Sequence, residues 1–285
     1  MTSGNKWILG ARPKTLPAAI APVLVATALA RSSARPLMAV LALIVSIALQ
    51  VGVNYANDYS DGIRGSDADR VGPVRLVASG LAPAQSVKRA AIYSFFIAAV
   101  VGLSLAIFTS WWLILVGAIS ISAAWAYTGG KRPYGYSGFG EISVFIFFGL
   151  VATMGSFFVQ TQTISINSFL IAIPVGCLAC AILAVNNLRD REKDALVGKD
   201  TLAVRMGDRN SRYLYIGLLI VAQITALIAS APWSLLTLAI TPLTISLART
   251  IVQGAKGEAL IPVLVKTGQV QLLFALLFAI ALWLS

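Results

Sequence analysis

Histidine is missing from all 285 residues of the chain. Its absence removes the commonest general base and the commonest metal ligand. Any catalysis must therefore run on carboxylates, amides, tyrosine, lysine or arginine. Cysteine is nearly missing as well. Cys177 and Cys180 form a C-x-x-C pair inside an apolar run, and with no histidine to complete a metal set they read as packing residues rather than redox or metal chemistry. Charge is scarce, at 12%, where an ordinary soluble domain carries about 25%. That scarcity argues against a soluble fold of one or two domains.

Apolar sequence fills the gap. Hydrophobic residues make up 58% of the chain, and stretches such as 90–108 and 272–284 contain no charge at all. Several runs are long enough as helix to cross about 30 Å of hydrocarbon. They are continuously apolar rather than alternating, which implies helices and not a barrel. The first run follows Lys6, Arg12 and Lys14 and is interrupted by Pro17 and Pro22, so it reads as a retained helix and not a cleaved signal. Helices are expected near 15–30, 36–58, 86–108, 111–127, 139–160, 167–189, 212–230, 232–249 and 266–284.

The net charge of +11 invites a nucleic-acid reading, but its distribution favours a membrane and anionic headgroups. With the N-terminus inside, only Arg31 and Arg35 of the 22 basic residues fall on the outer side. All eleven acidic residues also fall inside, which the positive-inside rule does not require. The chemistry is therefore expected on the cytoplasmic face. Two inner loops, about 59–85 and 190–211, each follow an apolar helix that ends in Asn and Asp, four helices apart. The expected fold is thus all-α. It is a polytopic membrane protein of about nine transmembrane helices, two four-helix halves plus a final helix around a central cavity, in one domain spanning 1–285.

At the end of the second helix Gln50, Asn54, Asn57, Asp58 and Asp61 share one helical face. At the end of the sixth, Asn186, Asp190 and Asp194 do the same. A carboxylate placed toward the membrane interior costs about 2.5–3.5 kcal/mol on insertion scales, so such residues usually face a cavity or a bound ion. Two facing carboxylate sets would repel without a cation between them. Mg²⁺ prefers oxygen ligands and bridges carboxylates to substrate phosphate. Arg64, Arg70, Arg75, Lys131, Arg132, Arg189, Arg191 and Lys199 surround the clusters. Carboxylates, Mg²⁺ and cations together suit a diphosphate leaving group. Two other readings stay open on these residues alone: solvated charges at helix ends, and an ion-coupled transporter.

Asn57-x3-Asp61 and Asp190-x3-Asp194, about 130 residues apart, resemble the two aspartate-rich motifs of the UbiA-type intramembrane aromatic prenyltransferases. Further blocks resemble the branch of menaquinone biosynthesis that prenylates 1,4-dihydroxy-2-naphthoate. These are Ala11-Arg12-Pro13-Lys14-Thr15-Leu16-Pro17, Arg70-x-Gly72-Pro73-x-Arg75-Leu76, Tyr127-Thr128-Gly129-Gly130-x2-Pro133-Tyr134, and Asn186-Asn187-x-Arg189-Asp190 followed by Gly198-Lys199-x-Thr201. The resemblance reaches from the N-terminus to about residue 207. One departure is that the wider family's third aspartate position is Gly65 here, with Asp67 and Asp69 beyond it.

The resemblance implies Mg²⁺, as two ions, held by Asn57, Asp58, Asp61, Asp190 and Asp194, with Asp67 as a possible replacement ligand. It implies Asp58, Asp61, Asp190 and Asp194 as the catalytic set. It implies substrate contacts from Asn54, Asn57, Arg70, Arg75, Lys131, Arg132, Tyr134, Asn186, Asn187, Arg189 and Lys199. Asn54 is equally readable as a packing amide, and Lys131 with Arg132 as markers of the inner face. Implied partners are polyprenyl diphosphate, 1,4-dihydroxy-2-naphthoate and membrane lipid. The implied location is the bacterial inner membrane, N-terminus inside and C-terminus outside. A related acceptor such as 4-hydroxybenzoate is the alternative within the same family. Prenyl length and oligomeric state are not written in these motifs.

Overall fold

The computed structural model describes residues 6–65 and 74–285. Among them every regular element is helical: α1 (Lys6–Ala11), α2 (Pro17–Ala30), α3 (Pro36–Arg64), α4 (Ala84–Phe108), α5 (Trp112–Ala126), α6 (Gly140–Thr161), α7 (Ile166–Leu196), α8 (Leu202–Ala229), α9 (Trp233–Val252) and α10 (Gly257–Leu284). Seven of these, α3, α4 and α6–α10, are long and apolar enough to cross a membrane. The bent pair Lys6–Thr15 and Pro17–Ser33 makes an eighth if it counts as one span, and α5 is shorter. The chain is a multi-pass membrane protein.

Local sequence explains the ends. Pro36 opens α3, where its missing N–H costs nothing, and Gly65 closes it in the left-handed conformation (φ 72°), its N–H donating to Asp61 and Gly62 carbonyls. A reciprocal Ser165–Ser168 capping box starts α7. Inside α6 the segment Phe145–Val151 widens to a π-helix, and Gly149 there lies so close to Gly176 of α7 that a β-carbon would sit 2.6 Å from the Gly176 Cα. The largest core gathers α2, α7, α8 and α10 around Val25, Val175, Tyr215, Phe274 and Phe278. A second cluster, Tyr55, Leu76, Val87 and Phe95, joins α3 to α4.

The helices depart from their expected limits mainly on the charged face. α3 runs to Arg64 rather than residue 58, and α7 runs to Leu196 rather than 189. α8 starts at Leu202, ten residues before its expected start, with a break at Gly207 (φ 75°). The expected loop 190–211 is thus mostly helix, and only residues 197–201 join α7 to α8. Hydropathy registers only the part of a helix inside hydrocarbon. The backbone bonds of a helix are internal, and Arg, Lys and Glu are good helix formers, so the helices continue into the headgroup zone.

Candidate active site

One face of α3, from Ala42 through Leu49, Val53, Asn54 and Asn57 to Asp61, lines a cavity of about 370 Å³. The same cavity is walled by one face of α5, one face of α6 and the stretch of α7 from Ala179 to Asp194. It is polar at the charged end and apolar along the rest of its length.

Asp61 is the centre of charge compensation. It is 3% exposed. Lys199 Nζ lies 3.1 Å from its Oδ1 and Arg75 Nη2 3.4 Å from its Oδ2. The Tyr136 hydroxyl donates to Oδ1 as well. Lys199 also stands 4.7 Å above the Tyr136 ring, and Arg64 packs over that ring at 5.3 Å. Arg64 in turn donates to the carbonyls of Thr128 and Gly130, and the Thr128 hydroxyl donates to Asn57 Oδ1 at 2.7 Å. The Tyr136 carbonyl accepts from Asp200 N at 2.9 Å. The segment after α5 is thereby pinned to both the end of α3 and the α7–α8 connection. Tyr134 donates to the Ala123 carbonyl and meets Ser143 Oγ at 2.9 Å. Burial pushes its phenol up from the ordinary range, with the Ser143 bond opposing, so it stays a neutral donor.

On α7, Arg189 grips Asp190 through Nε and Nη2 at 2.8 and 2.7 Å, and its Nη2 also donates to Asn186 Oδ1 at 2.9 Å. Asn187 donates to Glu141 Oε1 at 2.9 Å, so the second amide of the pair is oriented by α6. Asp194 faces the cavity, and its carbonyl accepts from Lys199 N at 2.8 Å.

The structure thus brings Asn54, Asn57, Asp61, Arg75, Tyr134, Asn186, Asn187, Asp190, Asp194 and Lys199 around one cavity. Others of the expected set lie elsewhere. Asp58 is fully buried and does not line the cavity. Its two carboxylate oxygens accept from Leu76 N (2.8 Å) and Val77 N (3.1 Å). This corrects its expected place among the metal ligands: neighbouring helical residues point about 100° apart, and Asp58 points to the segment before α4. Arg189 borders a smaller adjoining pocket with Arg191, Glu192 and Asp208. Lys131 and Arg132 are exposed on the rim. Arg70 and Asp67 lie outside the described residues. Asn54 donates to the Ala11 carbonyl (2.9 Å) and to Thr15 Oγ1 (3.1 Å), so it anchors the bend between α1 and α2.

Two contributors fell outside the expected contact set. Tyr136 bonds Asp61. Arg12 lines the cavity with its backbone in the left-handed region (φ 52°). Its Nε and Nη2 are buried without a hydrogen-bond partner. The signal for Arg12 was its place in the Arg-Pro-Lys-Thr block.

Among the described residues no three carboxylates converge tightly enough to cage a metal. Mg²⁺ does not need such a cage, since it usually binds through one or two carboxylates, water and substrate phosphate. Asn57 with Asp61 on one wall and Asp190 with Asp194 on the other offer the hard oxygens it prefers, so the donor set fits.

The sequence profile of the UbiA prenyltransferase family matches residues 19–259. The chain is 50% identical to a 1,4-dihydroxy-2-naphthoate octaprenyltransferase of Mycobacterium tuberculosis, over 99% of this chain and 98% of that one. It is 40% identical to the enzyme of that name from Escherichia coli, over 98% and 95%. In fold it is similar to a UbiA homologue from Archaeoglobus fulgidus solved with GPP and Mg²⁺ bound, with a TM-score of 0.68 at 14% identity over 98% of this chain and 100% of that one. A UbiA homologue from Aeropyrum pernix gives 0.67 at 13% identity, over 94% and 95%.

Proposed function

Given that the chain belongs to the UbiA prenyltransferase family, we propose that it transfers a polyprenyl group from polyprenyl diphosphate to C-3 of 1,4-dihydroxy-2-naphthoate in the bacterial inner membrane. The allylic C–O bond breaks, diphosphate leaves, the ring carbon forms the new C–C bond, and the carboxylate departs as CO₂. The product is the quinol form of demethylmenaquinone. The observation that carries this reading is a single cavity joining a polar, ion-paired end to a long apolar end, in a chain half identical to a naphthoate prenyltransferase along its whole length.

The assignments follow the geometry. Mg²⁺, as two ions on Asn57 with Asp61 and Asp190 with Asp194, would neutralise the diphosphate oxygens so that the C–O bond can ionise. Lys199 and Arg75 stand beside Asp61 and pass to phosphate oxygens when the donor enters. Arg12, with two unpartnered nitrogens, supplies a further cationic point for the anionic groups of the substrates. The faces of Tyr127, Tyr134 and Tyr136 at the cavity suit an aromatic acceptor and an allylic cation. The apolar walls keep water from that cation. In this reading α2–α5 and α6–α9 are the two halves and α10 the last of nine spans. The N-terminus and the carboxylates are cytoplasmic and the C-terminus is outside.

The test is membrane-embedded protein with 1,4-dihydroxy-2-naphthoate, a long polyprenyl diphosphate and Mg²⁺, followed by mass spectrometry of the lipid extract. A demethylmenaquinone product that disappears with EDTA is the expected result. Prenylation of 4-hydroxybenzoate instead would overturn the acceptor and keep the chemistry. No diphosphate release with any aromatic acceptor would overturn the reaction.

A further inference from the structure

The apolar end of the cavity contains glycines that packing does not explain. Gly149 and Gly176 mark a close helix crossing, where an added β-carbon would meet the opposite backbone at 2.6 and 3.1 Å. Gly102 on α4, Gly117 on α5 and Gly155 on α6 also line the cavity, yet a β-carbon on any of them would meet nothing within 4 Å. Glycine is the poorest helix former after proline, so three of them facing open space on three helices call for another reason.

Their depth supplies one. Gly102 lies six residues before the end of α4, Gly117 five after the start of α5, and Gly155 six before the end of α6. At 1.5 Å per residue each sits about 8–9 Å in from the helix end remote from the carboxylates. Ala42, six residues after the start of α3, completes the level and also lines the cavity. About one turn further out, Met38, Leu105, Leu113 and Val159 form an apolar plug. The four small residues are thus a ring around the cavity, immediately before its floor.

We infer that the Ala42–Gly102–Gly117–Gly155 ring is the determinant of prenyl chain length, leaving room for the distal isoprene units of a long donor. The inference rests on the prenyl-transfer reading above. From Asp61 to Ala42 is nineteen residues of α3, about 28 Å along its axis. An extended isoprene unit of four carbon–carbon bonds advances about 5 Å. Roughly five units therefore span the distance from the diphosphate end to the ring. Shorter donors end before it, and longer ones must pass it and turn at the plug. The turn is toward lipid along α5, a helix that buries no residue.

The experiment is a binding ladder on the purified full-length protein with Mg²⁺ and prenyl diphosphates of two to nine units, for wild type, Gly117→Leu and Gly155→Leu. Turnover with 1,4-dihydroxy-2-naphthoate is measured alongside. The expected result is at least a tenfold loss in affinity for the eight-unit donor relative to the three-unit donor in both variants. Leu113→Gly, which widens the plug, should shift the ratio the other way. Equal loss at every length would mean a packing role, and unchanged long-donor binding would mean no role; either overturns the inference. Length-graded binding without naphthoate turnover would overturn the proposed acceptor and leave the ring standing. A wild type that binds no donor of any length would overturn both.

Discussion

The polar stripes on α3 and α7 stand in equivalent places, each at the end of a long apolar helix, but they are compensated differently. Asp190 is neutralised by Arg189, the residue before it on the same helix. Asp61 is neutralised from three separate segments, by Arg75, Tyr136 and Lys199. The α7 wall is thus assembled as soon as its helix forms, whereas the α3 wall is complete only when the segment before α4, the segment after α5 and the α7–α8 turn have all docked. Within the α3 stripe there is a second contrast. Asp61 faces the cavity, and Asp58, three residues earlier, holds backbone.

The strongest way to break the comparison is to remove the charge on each wall. Asp61→Asn and Asp190→Asn should each lower turnover by about a thousand-fold or more, the scale of losing a principal electrostatic contact to the reacting group. The check is product formation by mass spectrometry at matched membrane expression. Full activity in either variant would sink the assignment of that wall. Chelation should reach both walls at once: EDTA abolishes turnover and added Mg²⁺ restores it. Lys199→Met and Tyr136→Phe sharpen the difference between the walls, because both touch Asp61 and neither is printed among the contacts of Asp190. Losses of about ten- to a hundred-fold are expected for Lys199→Met and less for Tyr136→Phe, with the Mg²⁺ dependence of the rate as the discriminating measurement.

Asp58→Asn tests the contrast inside one stripe. It leaves a buried backbone N–H without its acceptor, at a cost of about 1–3 kcal/mol. It should lower the thermal unfolding midpoint of the detergent-solubilised protein while leaving the Mg²⁺ concentration for half-maximal activity unchanged. A shifted Mg²⁺ requirement would return Asp58 to the metal set. The smallest effect is expected for Lys131→Ala and Arg132→Ala on the exposed rim, about twofold or less in rate.

Much of the molecule was readable in advance. The apolar runs located the helices, since no other structure satisfies its backbone in lipid. The offsets of Asn54, Asn57 and Asp61, and of Asn186, Asp190 and Asp194, placed each set on one face. What escaped was the extension of α3 and α7 beyond the hydrocarbon, because hydropathy falls silent where charged residues continue a helix. Arg12 escaped too, since a left-handed arginine with unpartnered nitrogens depends on how α1 turns into α2. The role of Asn54 was open until its bonds to Ala11 and Thr15 were visible.

The sequence by itself determined the helical class, the gathering of charge at one end and the pairing of two Asn/Asp stripes. Each of these follows from periodicity and from the cost of placing charge in hydrocarbon. Only the tertiary structure decided which member of a stripe faces the cavity and which holds a neighbouring segment. Adjacent helical residues diverge by about 100°, and no pattern along one helix says what packs against each side. The level ring of small residues was likewise invisible in the chain, because Ala42, Gly102, Gly117 and Gly155 come to one depth only through the alternating directions in which their helices are packed.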